Sequence, residues 1–249
     1  MSISERLGHV IGSALAPVVA RIARARHARM FHPTGDTFAG QIVPAAGPYE
    51  EIMKRLGTTV LARFSPALWK NGAEHLEVLG VALRFRHGAL TGSVAQPDDQ
   101  DVLFATISRP IYLALGPFLT DAHDYLTNTY FATSPFQPAA IDHRVYLRLV
   151  PRTASTEGGA RAAKLAHAVR TGPVTLAFEA RRLWTRTWHV IGTVTLDAPI
   201  ELDQAALRFD PFLDGAGLRP VGLIHAIRRS AYAASQAHRP AHEDPSQAR

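Results

Sequence analysis

The chain has 249 residues, 47% of them hydrophobic, and a formal charge of +6 carried almost wholly by arginine, the only lysines being Lys54, Lys70 and Lys164. That length allows one large domain with a sizeable core, and all-β barrels commonly reach it without splitting. Zero cysteines exclude disulfides, iron–sulfur clusters and every thiolate-bound metal, and fit a reducing compartment, so a cytoplasmic location is the expectation. The arginines are spread over every segment rather than gathered in one stripe interleaved with aromatics. They read mainly as solvated surface, and no nucleic-acid partner is expected.

From Ser2 to Arg29, apolar residues at Leu7, Val10, Ile11, Leu15, Val18 and Ile22 predict an amphipathic helix packed on the domain. The segment lacks a basic start, Pro17 interrupts its apolar run, and it is too short to span a bilayer. Neither a signal peptide nor a transmembrane segment is expected; contact with a membrane surface stays open. Phe38–Val43 predicts a strand, and Tyr49–Leu56 a short charged helix. Thr59–Ser65 alternates, with Val60, Ala62 and Phe64 on one face and Leu61, Arg63 and Ser65 on the other. Glu77–Arg86 sets Leu79, Val81, Leu83 and Phe85 against Gly80, Ala82, Arg84 and Arg86. Val102–Ser108 is a short apolar run. Arg144–Val150, Val174–Arg181 and Val190–Leu196 repeat the period of two. Ala160–Arg170 predicts an alanine-rich helix. Leu218–Gln236 predicts another, with Pro220 in its first turn and Arg228 and Tyr232 one turn apart on a shared face. The fold class is therefore α+β: an antiparallel eight-stranded β-barrel with flanking helices, one domain over 1–239 and a polar, disordered tail over 240–249.

Several short patterns stand in order along the chain. Arg29-x-x-His32-x-x-Gly35 comes first, followed by Ala62-Arg-Phe-Ser65 and Gly80-Val-Ala-Leu-Arg-Phe85. Asp101-Val-Leu103, Ile191-Gly-Thr-Val-Thr-Leu-Asp-Ala-Pro199 and Phe209-Asp-Pro211 come next, and Arg228-x-x-x-Tyr232 with Arg239 closes the series. No single piece is specific, since R-x-x-x-Y arises by chance in many helices. The ordered set resembles the catalase superfamily, and its minimal peroxidase and allene-oxide-synthase-type members in particular.

That resemblance implies haem b held by Tyr232 as the phenolate ligand of iron. A phenol ordinarily loses its proton only near pH ~10, so a phenolate ligand needs a cation beside it, and Arg228 is placed to supply one. Arg29, Arg63 and Arg239 match positions that bind haem propionates. His32 matches the distal acid–base group, since a neutral imidazole can take up a proton and return it. Ser65 matches the serine that fixes its tautomer. Phe118 stands about where the family stacks a phenylalanine on the haem, with an ordinary core aromatic as the rival reading.

The departures matter as much. Where the family carries its distal asparagine, this chain has Ala105, with Thr106 next to it as the one hydroxyl that could substitute. An arginine found before the family's glycine is Leu79 here. An apolar distal wall, read as including Leu79 and Phe104, favours a hydroperoxide with a hydrocarbon body over hydrogen peroxide. The reading is a haem-dependent peroxidase or hydroperoxide-transforming enzyme for organic hydroperoxides, fatty-acid ones among them, with its oligomeric state open. The alternatives are a small catalase and a non-catalytic haem- or lipid-binding barrel. A hydrolase is disfavoured, because Asp101, Asp121 and Glu179 are scattered and no G-x-S-x-G motif is present.

Overall fold

The structure, a computed structural model, describes residues 35–67, 69, 73–90, 92–108, 115–132, 134–155, 158–204 and 206–222. In chain order these form β1 (Asp36–Pro44), α1 (Glu50–Met53), β2 (Thr59–Pro66), β3 (Leu79–Arg86), β4 (Gln100–Ala105) and α2 (Gly116–Leu119). β5 (Tyr130–Ala132), β6 (Phe136–Pro138), β7 (Val145–Pro151), α3 (Arg161–Thr171), β8 (Val174–Arg182), β9 (His189–Pro199) and β10 (Leu218–Pro220) follow. Hydrogen bonding runs β7-β5-β4-β3-β2-β1-β9-β8, and a further β7–β8 pairing returns to the start. The result is a closed, eight-stranded antiparallel barrel, as the alternation predicts. Closure leaves no free edge within the ring. β10 and β6 extend from it through the pairing of Phe136 with Val145.

The alternation also assigns the faces. Val60, Ala62 and Phe64 of β2 join Leu79, Val81, Leu83 and Phe85 of β3 in the barrel interior, with Leu147, Leu149, Leu176 and Phe178 from the opposite wall. Phe64 meets Phe38, Tyr125 and Tyr130 edge-on, with centroids 5.9, 5.4 and 6.3 Å away, and Phe85 stacks on Phe178 at 5.7 Å. The interior is filled with side chains, as in other barrels of this strand number. Ile52 and Met53 of α1 and Leu165 and Val169 of α3 add to the same core. Gly40 marks a bulge between β1 and β9, where an added Cβ would lie 2.1 Å from the Thr195 carbonyl oxygen.

The outer face of β2, β3 and β4 is covered too. Leu61 packs with Leu207 and Phe209 against Ala82, Leu90 and Leu103. Beneath this cover lie two fully buried ion pairs. Arg84 donates Nε and Nη2 to the two carboxylate oxygens of Asp101, both at 2.8 Å, and Arg86 grips Asp99 the same way at 2.8 and 2.6 Å. Arg84 also donates to the Arg208 carbonyl and lies over the Phe209 ring, while the Asp210 N–H donates to Asp101. Three of the short sequence patterns, those at 80–85, 101–103 and 209–211, therefore meet in one structural latch. Arg84 and Arg86 are not solvated surface, and neither are Arg63 and Arg161.

Other expectations need correction. Leu218–Pro220 is a strand rather than the first turn of a helix. Gly217 precedes it at φ +82, and the Leu218 N–H donates to the buried Gln100 side chain. β3 begins at Leu79, not Glu77, because the buried Glu77 carboxylate accepts the backbone N–H groups of Ala67, Val78 and Trp69 and shapes the preceding loop. β4 ends at Ala105 rather than Ser108. The expected helix over 2–29, the rest of 218–236 and the tail lie outside the described residues.

Candidate functional site

On the outer face of β2, Arg63 and Ser65 stand two residues apart. Ser65 is paired with Gly80 on β3, Gly80 with Ala105 on β4, and Ala105 with Phe131 on β5. In the adjoining row Arg63 lies between Thr37 on β1 and Ala82 on β3, and Ala82 pairs with Leu103. Neighbouring strands are about 4.8 Å apart. Ser65, Gly80 and Ala105 thus make a strip three strands wide with no side chain larger than a hydroxymethyl group. Phe131 bounds it on one side and Arg63 on the other.

Gly35 closes the corner beside Arg63. A Cβ there would fall 2.6 Å from the Phe64 carbonyl oxygen and 2.8 Å from the Arg63 guanidinium carbon, so only glycine lets the chain pass so close to the arginine. Arg63 is buried and donates Nε to Gln204 at 3.3 Å. Asp36 sits beside it. Burial raises the Asp36 pKa, and the Arg63 and Arg161 charges pull it partly back. Arg63 keeps a guanidinium, an acceptor-free cation matched to carboxylates, at the margin of the flat strip. The Glu77 carboxylate, which sequence reading left without a role, ties down the loop that leaves β2 just after Ser65.

The Thr106 hydroxyl is engaged within the fold. Thr120 donates its hydroxyl proton to the Gly116 carbonyl oxygen at 2.8 Å. The 2.7 Å contact between the two hydroxyls is therefore a donation from Thr106 to Thr120, while Thr106 accepts the Leu79 N–H at 3.2 Å. Its single proton is committed. Leu79 and Phe104 do not line this strip, since both belong to the barrel interior. On the outer face Ala82 and Leu103 pack against the Leu61–Leu207–Phe209 cluster, and Ala105 packs against Ala67, Val78 and Ile107.

Phe118 lies on α2 with 69% of its surface exposed, flanked by the exposed Leu115 and Leu119, so it is not a core aromatic. Arg29, His32, Arg228, Tyr232 and Arg239 lie outside the described residues. Among the described residues no group of three or more His, Asp or Glu could hold a bare metal ion, and no helix is long and apolar enough to cross a membrane.

No protein-family model matches the chain, and no curated protein matches it. Solved structures do. A bacterial catalase superposes with a TM-score of 0.57 at 13% identity, covering 89% of this chain and 59% of its own. A fungal catalase gives 0.56 at 10% identity, covering 88% and 61%. The barrel is catalase-like. At such identities the likeness is one of fold, and the chain spans about three fifths of the length of either catalase.

Proposed function

We propose that this catalase-like barrel carries haem on its outer face and acts on organic hydroperoxides. The observation that carries the reading is the strip Ser65–Gly80–Ala105 bounded by Arg63. A flat macrocycle needs a floor without projecting side chains and cations for its two carboxylates. The strip supplies the first, and Arg63 supplies one of the second. Tyr232 would hold the iron, Arg228 would keep its phenol ionised, and Arg29 and Arg239 would meet the propionates alongside Arg63.

When bound, haem supplies the redox chemistry that breaks an O–O bond. The chain's own residues manage the protons. His32, three residues before Gly35 in the sequence, takes the hydroperoxide proton from the terminal oxygen and returns it to the leaving alkoxy oxygen, so the alcohol departs neutral. The Ser65 hydroxyl orients the imidazole and sets which nitrogen carries the proton.

Substrate preference follows from Ala105. Hydrogen peroxide is small and polar, and its placement depends on donors. Neither Ala105 nor the committed Thr106 offers one. Losing one positioned hydrogen bond in a desolvated site costs about 1–3 kcal/mol. An alkyl hydroperoxide offsets this by burying its hydrocarbon chain in the desolvated site, at about 0.8 kcal/mol per buried methylene. Two or three methylenes reverse the preference. Steady-state kinetics of the haem-loaded protein with cumene hydroperoxide, a fatty-acid hydroperoxide and hydrogen peroxide test this. The expected result is a higher kcat/KM for the organic substrates and feeble oxygen release. Brisk oxygen evolution from hydrogen peroxide with no turnover of bulky hydroperoxides would establish a small catalase instead.

A further inference from the structure

The β8–β9 connection reads Arg181-Arg-Leu-Trp-Thr-Arg-Thr-Trp-His189, three arginines and two tryptophans in nine residues. Its geometry is unusual. The Thr185 N–H donates to the Arg182 carbonyl at 3.1 Å, closing a tight turn with Leu183 and Trp184 at its apex. Trp184 sits at φ +71, a region that favours glycine, and is 93% exposed. A bulky aromatic in a strained backbone position, with almost no contact to the rest of the molecule, does nothing for the fold.

The tip is also braced. The Thr185 hydroxyl donates to the Arg182 carbonyl at 2.8 Å, Arg181 donates to the Thr185 carbonyl, and the Leu183 N–H donates to the Arg144 carbonyl at 3.0 Å. Behind it, two guanidinium groups lie over the Trp188 ring, those of Arg148 at 4.3 Å and Arg181 at 4.9 Å from its centroid. Arg144, Arg182 and Arg186 are exposed around the turn. The carboxylates here are already engaged: Glu179 with Arg148 and Arg152, Asp142 with His143. The face is strongly cationic, with one unshielded indole at its apex.

We infer that this hairpin docks the protein on the surface of a bilayer containing anionic phospholipid. Tryptophan favours the boundary between headgroups and acyl chains, and arginines flanking an apolar apex meet the phosphates as it enters. A single-stranded nucleic acid fits less well, because it needs a row of free aromatic faces, and the Trp188 ring is already engaged by two guanidinium groups. The inference is independent of haem.

The test is co-sedimentation of the full chain with phosphatidylcholine vesicles, with and without phosphatidylglycerol, for wild type, Trp184→Gly and the double variant Arg182→Ala/Arg186→Ala. Circular dichroism melting checks that each is folded. Trp184→Gly is expected to melt no lower than wild type, since glycine relieves the turn, yet to bind phosphatidylglycerol vesicles at least about tenfold more weakly. The double variant is expected to lose about fivefold per arginine. Wild type should bind pure phosphatidylcholine far less. Failure of wild type to bind, or equal binding by folded variants, overturns the inference. So does binding of a single-stranded oligonucleotide, but not of vesicles, that the same substitutions abolish, which would give the surface to nucleic acid.

Discussion

At the scale of single residues, the proposed proton-handling groups differ from those that only support the strip. His32→Ala is expected to retain haem and to slow the first reaction with peroxide by about 10²–10⁴-fold, the usual worth of a positioned acid–base group. Ser65→Ala should cost less, because the serine acts only through the imidazole. Rapid mixing of the haem-loaded variants with peroxide reads both, and equal rates in wild type and His32→Ala would make the histidine structural. Thr106 gives the converse. Thr106→Val leaves the Leu79 N–H without its acceptor and Thr120 without its donor, at about 1–3 kcal/mol of stability. The ratio of organic to hydrogen peroxide kcat/KM should not move. Urea unfolding and steady-state kinetics check the two halves, and a changed ratio would return the hydroxyl to the site.

Among elements, β3 and β4 show what alternation reveals and what it conceals. The inward sets of β2 and β3 were legible because a half-buried strand repeats its apolar residues every second position. β5, with three residues, is too short to show any period, and Leu218–Pro220 resembles a helix start because proline suits both a first turn and an edge strand. The buried arginines carried a readable signal that a solvated-surface reading overlooks. Arg84 and Arg86 repeat at the spacing of Asp99 and Asp101, the match expected of ion pairs across two antiparallel strands.

Their carboxylates titrate in opposite senses. Burial pushes Asp101 up to about 6 from the ordinary 3.8, against the pull of Arg84. Asp99 is shifted down: burial opposes the shift, and the Arg86 bond and the Gln96 N–H outweigh it. A raised carboxylate binds more protons in the folded state, so its contribution is present below pH ~4 and lost as pH rises through ~6, a change on the order of 2–3 kcal/mol. Asp99 contributes above its unfolded pKa and loses that as pH falls. Asp101→Asn should therefore flatten the decline in stability between about pH 4 and 6, and Asp99→Asn should not. Chemical denaturation across that range decides it, and parallel pH profiles for wild type and Asp101→Asn would count against the buried, proton-binding carboxylate.

For the molecule as a whole, the barrel interior is filled with side chains, and the proposed haem strip lies outside it. Phe64→Ala removes a ring that touches Phe38, Tyr125 and Tyr130 inside the barrel and should cost about 3–5 kcal/mol without altering peroxide preference. A melting curve and the same kinetic ratio test it together. The outer strip should behave in the opposite way, and haem titration followed by absorption reads it most directly. Wild type is expected to take up haem and give the ferric spectrum of tyrosinate ligation. Tyr232→Phe should abolish or shift that spectrum. Ala105→Phe, which sets a ring on the floor of the strip, should remain folded by circular dichroism and bind haem at least about tenfold more weakly. A wild-type chain that takes up no haem, or a folded Ala105→Phe chain that binds it as tightly as wild type, would contradict a haem site on the outer face of this barrel.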